Sequence, residues 1–358
     1  MIVSHLKLQK FRNFNEKTIE FSPYVTIIHG KNAVGKTTII EAINCLSTIK
    51  SFRTSDYDDL INYDSGYFYI EGVLRSENKS DKVSLYYDKA IKQVKINNFL
   101  YSKLSDYVGY FNVICFSALD FLKLKGSGSE RRKLFDLVFC QISKDYLFVS
   151  NYYKKILKDR NTLLKRLSFE NRSELLNVLE VLSKQLIDYG NKIIDFRKEI
   201  VEKISQLAKN FHYKISDGQE SFELKYYPSV SCLTEEDYNR TLQEDLKRGF
   251  TTIGPHRDDY IFIINNKNVS VFGSQGQQRN AMLSVKLGIA DVINEIKKEA
   301  PTLLLDDVFS ELDKSRQNAL INCLNPNYQT IITTSSISDL DNKMLDNALL
   351  VELDRRSE

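Results

Sequence analysis

The chain has 358 residues, enough for two lobes with separate cores, and its 50 basic against 47 acidic residues leave a net charge of only +3. That balance excludes a strongly basic molecule, so any nucleic-acid surface must come from local clustering. Cys45, Cys115, Cys140, Cys232 and Cys323 are odd in number and form no C-x-x-C pair, which argues against a disulfide framework and a zinc site. The start, Met1 to His5, lacks a charged region followed by an apolar one, and no apolar run approaches a membrane span. A cytoplasmic protein is expected.

In chain order, the first strong signal is an apolar run, Tyr24 to His29, then Gly30-Lys31-Asn32-Ala33-Val34-Gly35-Lys36-Thr37, then a helix-like run from Thr38 to Leu46. Strand, G-x-x-x-x-G-K-T and helix together make a phosphate cradle. Glycines let backbone N–H groups converge on a polyphosphate, and the helix adds the positive end of its dipole. Lys36 is expected to reach the β/γ-phosphates, and the Thr37 hydroxyl to ligate Mg²⁺. Next, Tyr67 to Leu74, Val83 to Tyr87 and Gln93 to Ile96 read as strands of an antiparallel meander.

The five prolines stand at 23, 228, 255, 301 and 326, leaving a long interior free for extended helices. Ser127-Gly128-Ser129-Glu130 has capping-box spacing and is expected to start a helical lobe. One apolar series runs from Tyr146 to Leu167 up to a break near Ser168 to Ser173, and a second from Leu175 to Phe211, both at helical spacing. Two helices of similar length in an antiparallel hairpin are predicted. Arg131, Arg132 and Lys133, then Lys154, Lys155, Lys158, Arg160, Lys165 and Arg166, form a basic stretch that is either a solvated face or a phosphate-binding one. Gly254-Pro255-His256-Arg257-Asp258-Asp259 invites an acid–base reading. Without a second ligand at metal spacing, the better expectation is a turn whose polar contacts couple head to lobe.

Downstream, Pro301-Thr302-Leu303-Leu304-Leu305-Asp306-Asp307 reads as a buried parallel strand ending in carboxylates. Asp306 is placed to bind Mg²⁺, and period-two alternation turns Asp307 the other way, toward an attacking water as general base. The alternative, two acids that merely end a strand or cap a helix, loses weight beside the phosphate loop. The phosphate loop precedes the helical lobe and the acidic strand follows it, so the head is discontinuous. The expected division is 1–125 head, 126–249 inserted lobe, 250–358 head.

Ser274-Gln275-Gly276-Gln277-Gln278-Arg279, opening a helix-like segment from Asn280 to Lys297, resembles the signature motif of ABC-type ATPases, and Ser310-Glu311-Leu312-Asp313 resembles their D-loop. The resemblance implies an α/β ATPase head with a mixed sheet, and ATP sandwiched between two heads, with Ser274, Gly276 and Gln277 contacting nucleotide held by a partner's loop. Phe11-Arg12-Asn13-Phe14, Ser51-Phe52-Arg53-Thr54, Lys125 to Arg132, Gly254 to Asp259, Phe272 to Arg279 and Leu304 to Asp313 together are similar to the RecF family of bacterial recombination mediators, among ABC/SMC-like ATPases. That resemblance implies an ATP-dependent homodimer that binds gapped, single-stranded or double-stranded DNA. It implies slow, DNA-stimulated hydrolysis and, with RecR and indirectly RecO, placement of RecA on DNA. In related heads the position of Arg12 reaches nucleotide phosphate.

Departures are visible. Phe116-Ser117-Ala118-Leu119-Asp120 lacks the proline and glutamate usual in the family, Ala33-Val34 replace a glycine and a small residue, and Thr333-Thr334-Ser335-Ser336 carries no histidine switch. No Q-loop glutamine is assignable. A transporter subunit would normally carry that switch, and a repair nuclease built on a similar head would append a metal-binding domain, whereas after the strand-like Ala348 to Leu353 only a polar tail is expected. With roughly 240 residues between phosphate loop and signature, at about 1.5 Å rise per helical residue, a compact lever is expected rather than a long coiled coil.

Overall fold

A computed structural model describes residues 1–167, 173–337, 340 and 342–354. Strands β1 (Ile2–Phe11) and β2 (Phe14–Glu20) form a hairpin, and β3 (Val25–His29) leads into helix α1 (Lys36–Thr48). The meander follows as β4 (Phe68–Ser76), β5 (Lys79–Tyr87), β6 (Lys92–Ile96) and β7 (Phe99–Leu100). Its strands join β1 and β2 in one antiparallel sheet of order β2-β1-β4-β5-β6-β7. Alternation in β4, buried at Phe68, Ile70, Gly72 and Leu74, turns one face of this sheet onto α1.

After a short α2 (Leu104–Tyr107) come β8 (Val113–Phe116), α3 (Leu119–Lys125), α4 (Gly128–Ile142), α5 (Lys144–Leu167) and α6 (Ser173–Ile215). Then follow β9 (Phe222–Tyr227), α7 (Glu235–Arg248), β10 (Asp259–Ile264), β11 (Lys267–Asn268), α8 (Val269–Phe272) and α9 (Gln275–Lys297). The chain closes with β12 (Thr302–Asp306), α10 (Lys314–Cys323), β13 (Thr330–Thr334), α11 (Asn342–Leu345) and β14 (Ala348–Glu352). A second sheet, wholly parallel, has the order β14-β3-β13-β12-β8. Its central strands β12 and β13 are buried at every position, as a parallel sheet covered on both faces requires. The head is therefore mixed α/β, with α1 between the two sheets. No helix of the described residues is long and apolar enough to cross a membrane.

The lobe departs from expectation in three ways. The hairpin helices differ in length, 24 residues in α5 and 43 in α6, because α6 continues past α5 to lie along α9 in the head. The contact is close: a Cβ on Gly288 of α9 would stand 3.0 Å from the Ile204 carbonyl oxygen of α6. The predicted break between the helices falls largely on 168–172, outside the described residues, as do 355–358 of the expected polar tail. Ser127 does sit at the N-terminus of α4, but its side chain makes no capping bond. Arg131 secures that corner instead, donating to the carbonyls of Leu124 and Gly126 and, through Nε and Nη2, to Asp259 at 2.8 and 2.7 Å. Finally, β9 pairs with β10, so one small sheet, β11-β10-β9, joins chain on either side of residue 249.

The segment from Gly254 to Asp259 is a polar junction. Fully buried Asp258 accepts from Arg197 Nη1 at 2.9 Å, from the Ser229 N–H at 2.8 Å and from the Tyr226 hydroxyl. Arg197, on α6, also reaches Asp136 of α4 at 2.8 Å. His256 stands between the Tyr153 hydroxyl (2.8 Å) and the Thr251 carbonyl oxygen (3.1 Å), and burial pushes its imidazole down to about 4. A neutral ring donating to Thr251 and accepting from Tyr153 fits those partners, which is a structural arrangement.

Arg160 is withdrawn from the basic stretch. Only 1% exposed, it donates to Asp245 and to the Thr251 hydroxyl, both at 2.7 Å, and to the Ser183 hydroxyl at 3.0 Å, while its guanidinium lies over the Tyr238 ring. It ties α5, α6 and α7 together, whereas Lys154, Lys155, Lys158, Lys165 and Arg166 are exposed. Removing one member of such a pair leaves a buried charge uncompensated, so Arg160→Ala is expected to cost about 3–5 kcal/mol in urea unfolding. A cost under about 1 kcal/mol would mean that Asp245 is solvated without it.

Candidate nucleotide-binding site

Open α/β sheets present their ligands at the carboxyl ends of the strands, where the loops converge. Here β3 ends at His29, β12 at Asp306 and β13 at Thr334, and the parallel register sets Asp306 opposite Thr333 and Thr333 opposite Ile28. The loop from Gly30 to Gly35 leaves β3 at this edge. Gly30 has φ 150° and Gly35 φ 106°; a Cβ on the first would stand 2.4 Å from the Leu353 carbonyl oxygen, and on the second 2.5 Å from the Phe14 ring. Both conformation and space therefore demand glycine. Ala33 adopts φ 66°, a left-handed conformation that costs a non-glycine residue about 1–2 kcal/mol, so the departure from glycine keeps the N–H donor at the expense of strain. Val34 packs its side chain into the core.

Lys36 Nζ lies inside the loop, donating to the carbonyls of Gly30 at 2.6 Å and Lys31 at 2.9 Å. Burial lowers its pKa, opposed by the carboxylates of Asp307 and Asp306. Thr37 Oγ1 and Thr333 Oγ1 donate to the same oxygen of Asp306, Oδ1, at 3.0 and 2.8 Å. Neither uses Oδ2. Burial pushes the Asp306 carboxyl up, with Asp307 adding to the rise, so the site is short of positive charge where a divalent cation would supply it.

The alternation argument for Asp307 does not hold. Asp307 has φ 53° and lies past the last residue of β12, so a left-handed turn, not the strand pleat, orients it. Its N–H donates to Thr333 Oγ1 at 3.0 Å, and Asp306 and Asp307 both line one cleft of about 800 Å³ together with Asn32, Lys36, Thr37 and Thr38.

Arg12 lines the same cleft, with three of its five N–H groups engaged within the chain. Nε and Nη2 grip Glu41 at 3.0 and 2.7 Å, and Nη1 donates to the Asp59 carbonyl at 2.7 Å. Arg53 also reaches Glu41, at 3.2 Å, and Ser51 donates to it. Both arginines are thus tied to one fully buried carboxylate at the cleft wall. Arg12 is held at the cleft wall by Glu41 and the Asp59 carbonyl. Spacing alone did not single out Glu41, Arg53 or Thr333. The available signal was a lone glutamate within an otherwise apolar helix turn.

Ser274, Gly276 and Gln277 do not line this cleft. They open α9, where Ser274 Oγ accepts from the Gln277 N–H at 3.2 Å and Gln277 Oε1 accepts from the Ser274 N–H at 3.0 Å, a reciprocal capping box on an exposed corner. In the next turn after β12, Ser310 donates to the Asp307 carbonyl and Asp313 caps α10 by accepting from the Arg316 N–H.

Asp306→Asn keeps an acceptor for both threonines while deleting a buried charge. It is expected to unfold at the same temperature as the parent protein or higher, and to lose the Mg²⁺-dependent part of any nucleotide stabilisation. A marked fall in Tm without ligand would show that the charge is compensated.

The family model for the RecF/RecN/SMC N-terminal domain matches residues 2–353. The DNA replication and repair proteins RecF of Bacillus thuringiensis and Bacillus cytotoxicus are each 39% identical over 364 residues, covering 99% of this chain and 97% of their own. Among solved structures, the recombination mediator protein RecF with ATP superimposes with a TM-score of 0.86 at 34% identity, over 95% of this chain and 93% of that one. The Pyrococcus furiosus Smc head domain shares the fold, at a TM-score of 0.56 and 18% identity over 98% and 94%. A phosphate loop, an acidic strand end and a signature-like helix on a head of this shape, with full-length identity at this level, place the chain in the RecF family.

Proposed function

We propose that this chain is an ATP-dependent DNA clamp: two copies close on ATP, hold DNA, and release it on slow hydrolysis. The observation that carries the reading is the separation of two half-sites in one chain. The cleft holds Lys36, Thr37, Asp306 and Asp307, while Ser274 lies exposed at the start of α9, off that cleft. A second copy supplies what each lacks.

The residues fit a Mg²⁺–ATP complex, because glycine is required on steric grounds at both ends of the loop and the oxygen donors of Thr37 and Asp306 already meet. Thr37 and Asp306 would hold Mg²⁺, which neutralises phosphate oxygens when bound. The loop N–H groups from Lys31 to Thr38, at the N-terminus of α1, bind the phosphates, and Lys36 moves its ammonium from loop carbonyls onto them. Asp307 takes the proton of the attacking water. Ser274, with Gly276 and Gln277, contacts the nucleotide of the other copy. Positions 126–249 serve as a lever on the head. The RecF-ATP structure is named for the RecFOR pathway; on this reading the chain itself works with RecR and RecO, takes gapped duplex DNA as its platform and helps load RecA, in the cytoplasm.

Light scattering with and without ATP tests the sandwich. Ser274→Arg is expected to bind ATP and stay monomeric; ATP-driven dimerisation equal to that of the parent protein would sink the model. Asp307→Asn is expected to dimerise with ATP but to lose turnover by about 10²-fold or more, since only the base is removed. Turnover at the parent rate would reassign the base.

A further inference from the structure

The turn after α6 returns the chain against the end of that helix. Gly218, at φ 73°, donates its N–H to the Tyr213 carbonyl at 2.8 Å, and Glu220 follows. One oxygen of Glu220, Oε1, accepts from Gln277 Nε2 at 2.8 Å; the other, Oε2, is 3.0 Å from His212 Nε2. His212 belongs to α6, is fully buried and stacks on Phe222. Its Nδ1 is 3.3 Å from Ser284 Oγ, on α9, which also reaches the Asn280 carbonyl at 2.7 Å. A continuous polar chain therefore runs from the signature corner through Glu220 to the lobe helix and back to α9.

We propose that Glu220 is a positioning residue for the signature half-site, holding Gln277 so that Ser274 presents its hydroxyl proton outward, and that it ties this corner to the long lobe helix α6. The proposal rests on the two-copy reading above. Gln277 has one amide, and both of its ends are used: Oε1 on the Ser274 N–H, Nε2 on Glu220. Glu220 thereby prevents an amide flip that would set Nε2 against the Ser274 N–H and break the capping box. The Gln277 N–H in turn occupies a lone pair of Ser274 Oγ, leaving the hydroxyl proton to be donated to a partner's phosphate. Because α6 and α9 touch backbone to backbone at Gly288, a shift of the lobe helix moves His212 and Glu220 together and is felt at Gln277.

Two substitutions separate positioning from folding. Glu220→Ala removes both bonds. Glu220→Gln can keep both, its oxygen accepting from Gln277 and its NH₂ donating to His212 Nε2, provided that the imidazole proton moves to Nδ1 and is donated to Ser284. In the full chain, Glu220→Ala is expected to bind a fluorescent ATP analogue as the parent does while dimerising about tenfold more weakly, the loss of a hydrogen bond to a charged group. Glu220→Gln is expected within about twofold of the parent, with its ¹⁵N spectrum showing His212 protonated at Nδ1 rather than Nε2. Equal dimerisation by Glu220→Ala beside a monomeric Ser274→Arg would overturn the positioning role and leave the sandwich standing. Dimerisation by Ser274→Arg would overturn the sandwich itself. Loss of dimerisation in Glu220→Gln despite the tautomer change, or no tautomer change, would also overturn the proposal, whether or not Glu220→Ala folds.

Discussion

Everything at the nucleotide edge depends on the burial of α1 between two sheets. All of its residues except Thr37 are buried, so the helix has no solvated face on which to carry polar groups. Its buried polar side chains need partners inside, and most find them: Glu41 takes two arginines and Ser51, Ser47 donates to the Phe111 carbonyl, and Asn44 to the Lys50 carbonyl. The helix emerges only at its N-terminus, which puts its positive end and the Thr37 hydroxyl at the carboxyl edge of the parallel sheet.

The same packing explains why the acidic residues take different parts. Asp306 is the last residue of a central strand, fixed from two sides by Thr37 of α1 and Thr333 of the neighbouring strand. It is rigid and poorly solvated, suited to a cation. Asp307 follows a left-handed turn and stands exposed on the cleft, where a carboxylate can meet water. Nearby, Lys286 of α9 pairs with Asp120 and reaches the Cys115 carbonyl, which anchors the signature helix to the end of β8. The short segment that departs from the family pattern, Phe116 to Asp120, thus keeps its aspartate in a buried ion pair.

Much of this was legible in the order of residues. The phosphate loop, the apolar strand ending in Asp306 and the meander alternation from Phe68 to Ile96 depend on local rules: glycine at positive φ, a strand buried on both faces, a period of two. Long-range pairing is not local, and there the reading from residues failed or stopped. Arg160 sits in a run of exposed lysines and reads as one of them, yet it is buried because α7 and the Thr251 segment fold over it. That Arg12 would be gripped by Glu41, 29 residues on, could not be read from the residues either.

By itself, the sequence determined which chemistry is present and on which elements: a phosphate loop between strand and helix, two carboxylates after a buried strand, a serine opening a capped helix, and a helical segment between them. Only the tertiary structure decided which of these groups meet. Thr37 and Asp306 are 269 residues apart and share one hydrogen bond, whereas Ser274 and Asp306, far closer in sequence, do not share a cleft. The reason is physical. Hydrophobic burial of α1 and of the α6–α9 contact sets where each helix terminus emerges, and that packing depends on the whole core rather than on the motif residues.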